Sequence, residues 1–182
     1  MQINPEIEQL TDYAIRLAKK KEHEYVLVEH LLLSLVRYDP FSKTLESFGI
    51  DISALDADLF DYLSNVDNVS GGNAPKKTNA LERVFNRAVT QVLFTGRRYV
   101  TTIDLFLSIA SESQSHASYC LLKHGVDKSK FTDHWNIHYK ESSVKLSSDQ
   151  AKETLEEFCT NLNDLARNDK LEPLIGRSKE IK

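Results

Sequence analysis

Apolar residues recur along this chain at the spacing of helices. Ile7, Leu10, Ala14, Leu17 and Ala18 share one helical face. Asn4 can cap that helix, and Pro5 suits its first position because it has no N–H to lose there. His23-Glu24-Tyr25 breaks the stripe. Residues 28–38 are then apolar almost throughout, which requires a helix buried on most sides. Asp39-Pro40 restarts a helix that stops at Gly49, a residue able to take the left-handed conformation after a helix end. Asp51 or Ser53 caps a fourth helix with Leu55, Leu59 and Leu63 on one face. A second series follows. Residues 81–94 are amphipathic and end at Gly96, Thr101 stands at the cap of residues 103–110, and residues 115–124 close at Gly125. Phe131, Trp135 and Tyr139 line the face of the last helix. No stretch shows sustained strand alternation, so the pattern predicts an all-α fold.

The two series are copies. Displaced by 74 positions, Ile7 falls on Leu81, Leu10 on Val84, Ala14 on Ala88, Ala18 on Val92, Tyr25 on Tyr99 and Val26 on Val100. Residues 29–36 (EHLLLSLV) land on 103–110 (IDLFLSIA). After a two-residue insertion, Phe48-Gly49-Ile50-Asp51 pairs with His124-Gly125-Val126-Asp127. A unit of about 60 residues is thus present twice, too long and too few for a solenoid. The expectation is a pseudo-two-fold globule of about eight helices, with a first repeat at 1–66 and a second at 80–139. Residues 67–79 (DNVSGGNAPKKTN) read as a flexible linker between them, and 140–152 (KESSVKLSSDQAK) as another after them. From there Leu155, Phe158, Leu162 and Leu165 return to helical spacing ahead of Pro173-Leu174-Ile175-Gly176-Arg177, so 153–182 reads as the opening of a further module cut short.

Composition narrows the function. Lys and Arg total 23 against 27 Asp and Glu, a net charge of −4, which argues against nucleic acid bound through counterion release. With 6 Gly, 4 Pro and 41% apolar residues the chain can build a core. Cys120 and Cys159 form no disulfide framework and share no metal-ligand spacing, and read as reduced, buried thiols. No apolar run approaches the roughly 18–20 residues that span a bilayer, so no membrane partner is expected. Met1-Gln2-Ile3-Asn4-Pro5-Glu6 lacks a basic region followed by an apolar one, and the expected location is cytoplasmic.

Catalytic chemistry finds no support in the motifs. There is no G-x-x-x-x-G-K-[ST] phosphate loop: Asn follows Gly71-Gly72, and Gly176-Arg177 lacks the lysine. There is no H-E-x-x-H or clustered Cys/His spacing, so neither a metal nor another cofactor is expected. His30 reads as a hydrogen-bonded, partly buried residue, and His116, His124, His134 and His138 as helix-end or surface residues. Cys120, beside Leu121 and Leu122, reads as inert packing. Phe131 and Trp135 read as core rather than as an exposed peptide-binding stripe. Lys19-Lys20-Lys21 reads as a solvated helix end, because Glu22 and Glu24 follow at once.

Several of these segments carry a family resemblance. They are Glu24-Tyr25-Val26 and Val28-Glu29-His30-Leu31-Leu32-Leu33 in the first unit, and 83–89 (RVFNRAV), Thr95-Gly96-Arg97 and 111–126 (SESQSHASYCLLKHGV) in the second. Together they resemble the N-terminal domain of the Clp AAA+ unfoldases, the ClpA type in particular. Residues 155–181 resemble the entry to the first ATPase module of those proteins. The resemblance implies a non-enzymatic docking domain that receives the adaptor ClpS and helps recruit protein substrates. Contact with ClpP, hexamer formation and ATP would come only through AAA+ modules absent from these residues. It also implies an adaptor-facing surface at Glu24, Glu29, Thr78 and Arg83. Alternatives are a stand-alone regulator that sequesters the adaptor, and adaptor-free binding of unfolded polypeptide. One position departs from the family: Leu27 stands where Thr or Ser usually caps the central helix of the first repeat, whereas Thr101 occupies the matching place in the second.

Overall fold

A computed structural model of the chain describes residues 4–67 and 74–138, together with Arg167. Contacts divide the chain into Met1–Ile137 and His138–Lys182, and the helices below build the first of these units. The expectations for Gly71-Gly72, Tyr139, Cys159, residues 140–152 and, Arg167 apart, residues 153–182 fall outside the described residues.

The first repeat runs α1 (Pro5–Lys20), β1 (Tyr25–Val26), α2 (Val28–Val36), α3 (Asp39–Ser47) and α4 (Ile52–Ser64). The second runs β2 (Lys76–Lys77), α5 (Asn79–Phe94), α6 (Thr102–Ala110), α7 (His116–Lys123) and α8 (Lys128–His138). The fold is all-α, as the apolar pattern predicts. Caps fall where short polar side chains precede the stripes: Asn4 Oδ1 accepts from Glu6 N–H, Asp51 Oδ1 from Ala54 N–H and Ser115 Oγ from Ser118 N–H. Two two-residue strands escape the sequence reading, since no alternation can show in so short a stretch. They pair in parallel, Tyr25 opposite Lys76 and Val26 opposite Lys77. The end of the 67–79 stretch is therefore a strand followed by a helix start.

Burial concentrates on α2 and α6. Every residue of α2 is buried, as is the run Ile103–Ile109 within α6. These are the two most apolar helices, and each is wrapped by its own repeat while packing on the other. Aromatic rings join the repeats. Phe106 lies 5.2 Å from Phe41 and 4.7 Å from Phe131, and Phe131 lies 5.0 Å from Phe48. Such pairs contribute about 0.5–1.5 kcal/mol each beyond area burial. Phe131 is fully buried and Trp135 packs partly buried against the same core.

Polar contacts pin the seam from both sides. Asp58 on α4 accepts from Lys123 Nζ at 2.6 Å and meets His124 Nε2 at 2.8 Å. Those two partners hold the Asp58 carboxyl below its usual range. Ser47 at the end of α3 meets His134 on α8 at 3.1 Å. His124 thus does more than favour a helix end: it ties α7 to the other repeat.

Candidate functional site

The β1–β2 ladder decides where the four residues implied by the resemblance lie. Lys76 N–H donates to the Glu24 carbonyl at 2.9 Å, and Thr78 N–H to the Val26 carbonyl at 3.3 Å. Glu24 and Thr78 therefore flank one short ladder, half-buried at its two ends. Thr78 is bound twice more: its hydroxyl donates to the Val26 carbonyl at 3.2 Å and accepts from Leu81 N–H at 3.3 Å as the cap of α5. Its side chain fixes the helix start to the strand.

Glu29 lies inside. It is 5% exposed, and its Oε1 accepts from Ala117 N–H at 2.9 Å, in the first turn of α7. A carboxylate there meets the positive end of the helix dipole as well as an unpaired amide. The residue reads locally as a first-turn acid of α2, yet it serves the N-terminus of a helix in the other repeat. It is a strut of the seam, not an exposed docking charge.

Arg83 is half-exposed, and its guanidinium grips Glu112 through Nε at 3.1 Å and Nη2 at 2.6 Å, both to Oε1. Arg87 takes the other oxygen at 2.9 Å and the Ser108 carbonyl at 2.7 Å. Glu112, 6% exposed, is thus the acid around which both arginines are arranged. Arg83 first and Arg87 after it hold its carboxyl below the usual value, against the opposing effect of burial. Sequence reading missed Glu112 because it lies 29 residues beyond Arg83, with no motif linking the two.

A buried histidine pair was legible only in part. Leu27 N–H donates to His30 Nδ1 at 3.0 Å, so the His30 proton sits on Nε2. That nitrogen lies 2.9 Å from His23 Nδ1 and donates to it. His23 in turn bonds the backbone of Leu63. A neutral relay thus runs from the start of α2 to the end of α4, with His23 1% and His30 0% exposed. Burial, then the neighbouring His23 and Lys21, push the His30 pKa down to about 3. Burial and Lys21 also lower that of His23. The Leu27 amide, which its own side chain cannot help, is served by the residue three positions on.

In the second repeat Thr101 stands at the N-cap of α6, as its place in the sequence predicts, and its side chain pairs with Asp104 three positions on. Its hydroxyl donates to Asp104 Oδ2 at 2.7 Å, and its N–H to the same oxygen at 2.9 Å. Arg97 closes a bidentate pair on Asp104 at 2.7 and 3.0 Å. Cys120 is 1% exposed with its thiol pKa raised, chiefly by burial, which disfavours a reactive thiolate. Among the described residues no three His, Cys, Asp or Glu side chains are grouped to hold a metal ion. Among them, too, no helix is long and apolar enough to cross a membrane.

Comparison with known proteins agrees with this duplicated helical body. Residues 2–124 match the family model of the Clp repeat (R) N-terminal domain. A ClpA homolog protein from Fuscovulum blasticum is 30% identical over 96% of the chain and 25% of its own length. The chaperone protein ClpB of Vibrio cholerae is 26% identical over 91% of the chain and 20% of its own length. The chain thus spans a quarter or less of these relatives. The Hsp104 N-terminal domain of Candida albicans superposes with a TM-score of 0.69 at 12% identity, covering 83% of this chain and 99% of that one.

Proposed function

The chain belongs to the Clp repeat N-terminal domain family, and from that premise we propose that it is a protein-docking module receiving a ClpS-like adaptor and, through it, protein substrates. The observation that carries this reading is the ladder edge, where Glu24 and Thr78 flank β1 and β2 and Arg83 stands half-exposed on the adjoining α5. These charges sit on backbone fixed by hydrogen bonds, so a complementary surface meets them at little ordering cost. Rim charges of this kind set partner choice and on-rate more than affinity. Glu29 supports the same surface from beneath, by holding α7 to α2. In this reading ATP hydrolysis and contact with ClpP belong to AAA+ modules of a longer protein, and tethering near such a motor raises local substrate concentration.

The test is calorimetric titration of the chain with a purified ClpS-type adaptor. The expected result is saturable binding, weakened about tenfold by Glu24→Lys and severalfold by Arg83→Ala. Glu29→Gln is expected to lower stability while leaving affinity nearly intact. Absence of saturable binding, or indifference to both Glu24→Lys and Arg83→Ala, overturns the proposal.

A second reading, direct capture of unfolded polypeptide, is favoured by one observation. Leu93 and Phe94 at the end of α5 are 63% and 88% exposed, with Tyr99 half-exposed nearby in sequence. Adjacent large apolar residues left in water are unusual for a surface without a partner. Under this reading a denatured, labelled protein binds without adaptor, and Phe94→Ser abolishes the binding.

A further inference from the structure

Tyr13, Arg16, Leu17 and Lys20 from α1, Lys21 after it, Arg37 after α2 and Phe60 on α4 line a groove of about 430 Å3. Four cations converge there, and Asp56 neutralises one of them, accepting from Arg37 Nη2 at 2.9 Å. Arg16 and Lys20 are exposed, with no acidic partner among the described residues. A helix C-terminus explains lysines in the last turn of α1. It does not explain Arg16, or Arg37 arriving from another helix.

The groove floor is apolar but already capped. Lys21 Nζ sits 4.1 Å from the centre of the Phe60 ring and Arg37 Cζ 5.6 Å, while Arg37 Nη1 donates to the Tyr13 hydroxyl at 3.2 Å. Lys21 also bonds Ser64 Oγ at 2.8 Å. Partial burial, and then the neighbouring Arg37, lower the Lys21 pKa.

We propose that this groove binds an acidic peptide segment, its Asp or Glu carboxylates on Arg16, Lys20 and Lys21 and an apolar side chain against Leu17 and the edge of Phe60. Charge complementarity argues for an anion. The cations over Phe60 argue against a nucleic acid, because they occupy a ring face on which a base would stack. The volume fits a few side chains rather than a long phosphate track. This site is independent of the ladder edge and goes beyond the adaptor reading.

The experiment is fluorescence anisotropy of the full chain with a labelled peptide Asp-Glu-Leu-Phe-Asp-Glu, beside its neutral analogue Asn-Gln-Leu-Phe-Asn-Gln and a short oligothymidylate. The acidic peptide is expected to bind saturably, about tenfold more tightly than either alternative, with affinity falling as salt rises. The double variant Arg16→Glu, Lys20→Glu is expected to lose at least that factor. Lys43→Glu with Lys130→Glu, an equal change of net charge at exposed positions away from the groove lining, is expected to stay within about twofold. Failure of the acidic peptide to bind overturns the proposal. So do equal binding of the neutral peptide, tighter binding of the oligothymidylate, and equal losses in the two double variants.

Discussion

His23 and His30 in the first repeat stand where Arg97 and Asp104 stand in the second, each pair anchoring the N-terminus of a buried central helix. The backbone bond is nearly the same: Leu27 N–H to His30 at 3.0 Å, Thr101 N–H to Asp104 at 2.9 Å. The means differ. Both histidines are buried and neutral, whereas Arg97 keeps 40% of its side chain in water while Asp104 keeps 4%. A charge pair needs one partner near solvent to limit its desolvation cost, and an enclosed site favours a neutral relay. The turns just before show the same divergence. Glu22 holds φ 57° where Gly96 holds φ 67°, so the second repeat has the residue that the left-handed backbone favours and the first does not. Duplication preserved the geometry of the anchor and left its chemistry free to follow local burial.

The comparison can be broken hardest at its centre. His30→Leu removes the acceptor of the Leu27 amide and strands the buried His23, and is expected to cost about 3 kcal/mol in urea unfolding. Asp104→Leu is expected to cost about half as much, because Arg97 can turn to water. Equal losses would mean that the relay is no more enclosed than the ion pair.

Acid sharpens the contrast next. Histidine in an unfolded chain titrates near 6.5, while folded His30 is held down to about 3. Between these values the unfolded state binds the extra proton, so stability is full above about 6.5 and falls with pH below it. A loss of roughly 2 kcal/mol is expected between pH 7 and pH 5, read from denaturant midpoints. Glu112 is depressed below the ordinary carboxyl value and acts only at lower pH. Transplanting the second repeat's pair, His23→Arg with His30→Asp, is expected to flatten the curve across this range.

Smaller still is the turn. Glu22→Gly is expected to raise stability by about 1 kcal/mol and Gly96→Glu to lower it by a similar amount, both from thermal midpoints. The least effect belongs to the exposed side of the second anchor. A double-mutant cycle on Arg97→Ala and Asp104→Ala is expected to give a coupling of about 1 kcal/mol or less, shrinking as salt is added.

How far the chain could be read in advance varies with the range of each interaction. Asn4 and Asp51 were visible as caps because a cap acts within three residues of itself. Glu24 and Thr78 could be matched to a family pattern, but their common ladder pairs residues 51 positions apart, Tyr25 with Lys76 and Val26 with Lys77, and leaves no local trace. Glu29 is the sharpest case. Nothing near it in sequence announces that its carboxylate will meet the amide of Ala117, 88 positions on. Arg83 is half-exposed, but no local pattern announces that its guanidinium is tied to Glu112.

The sequence by itself determined the helices, their order and their duplication, because apolar spacing and capping are properties of neighbouring residues and every copy of the pattern repeats them. Only the tertiary structure decided which helix end each buried polar group would serve, and whether an anchor would be neutral or charged. Those outcomes depend on how much water survives around a side chain once distant segments have packed over it, and exclusion of water belongs to the assembled core.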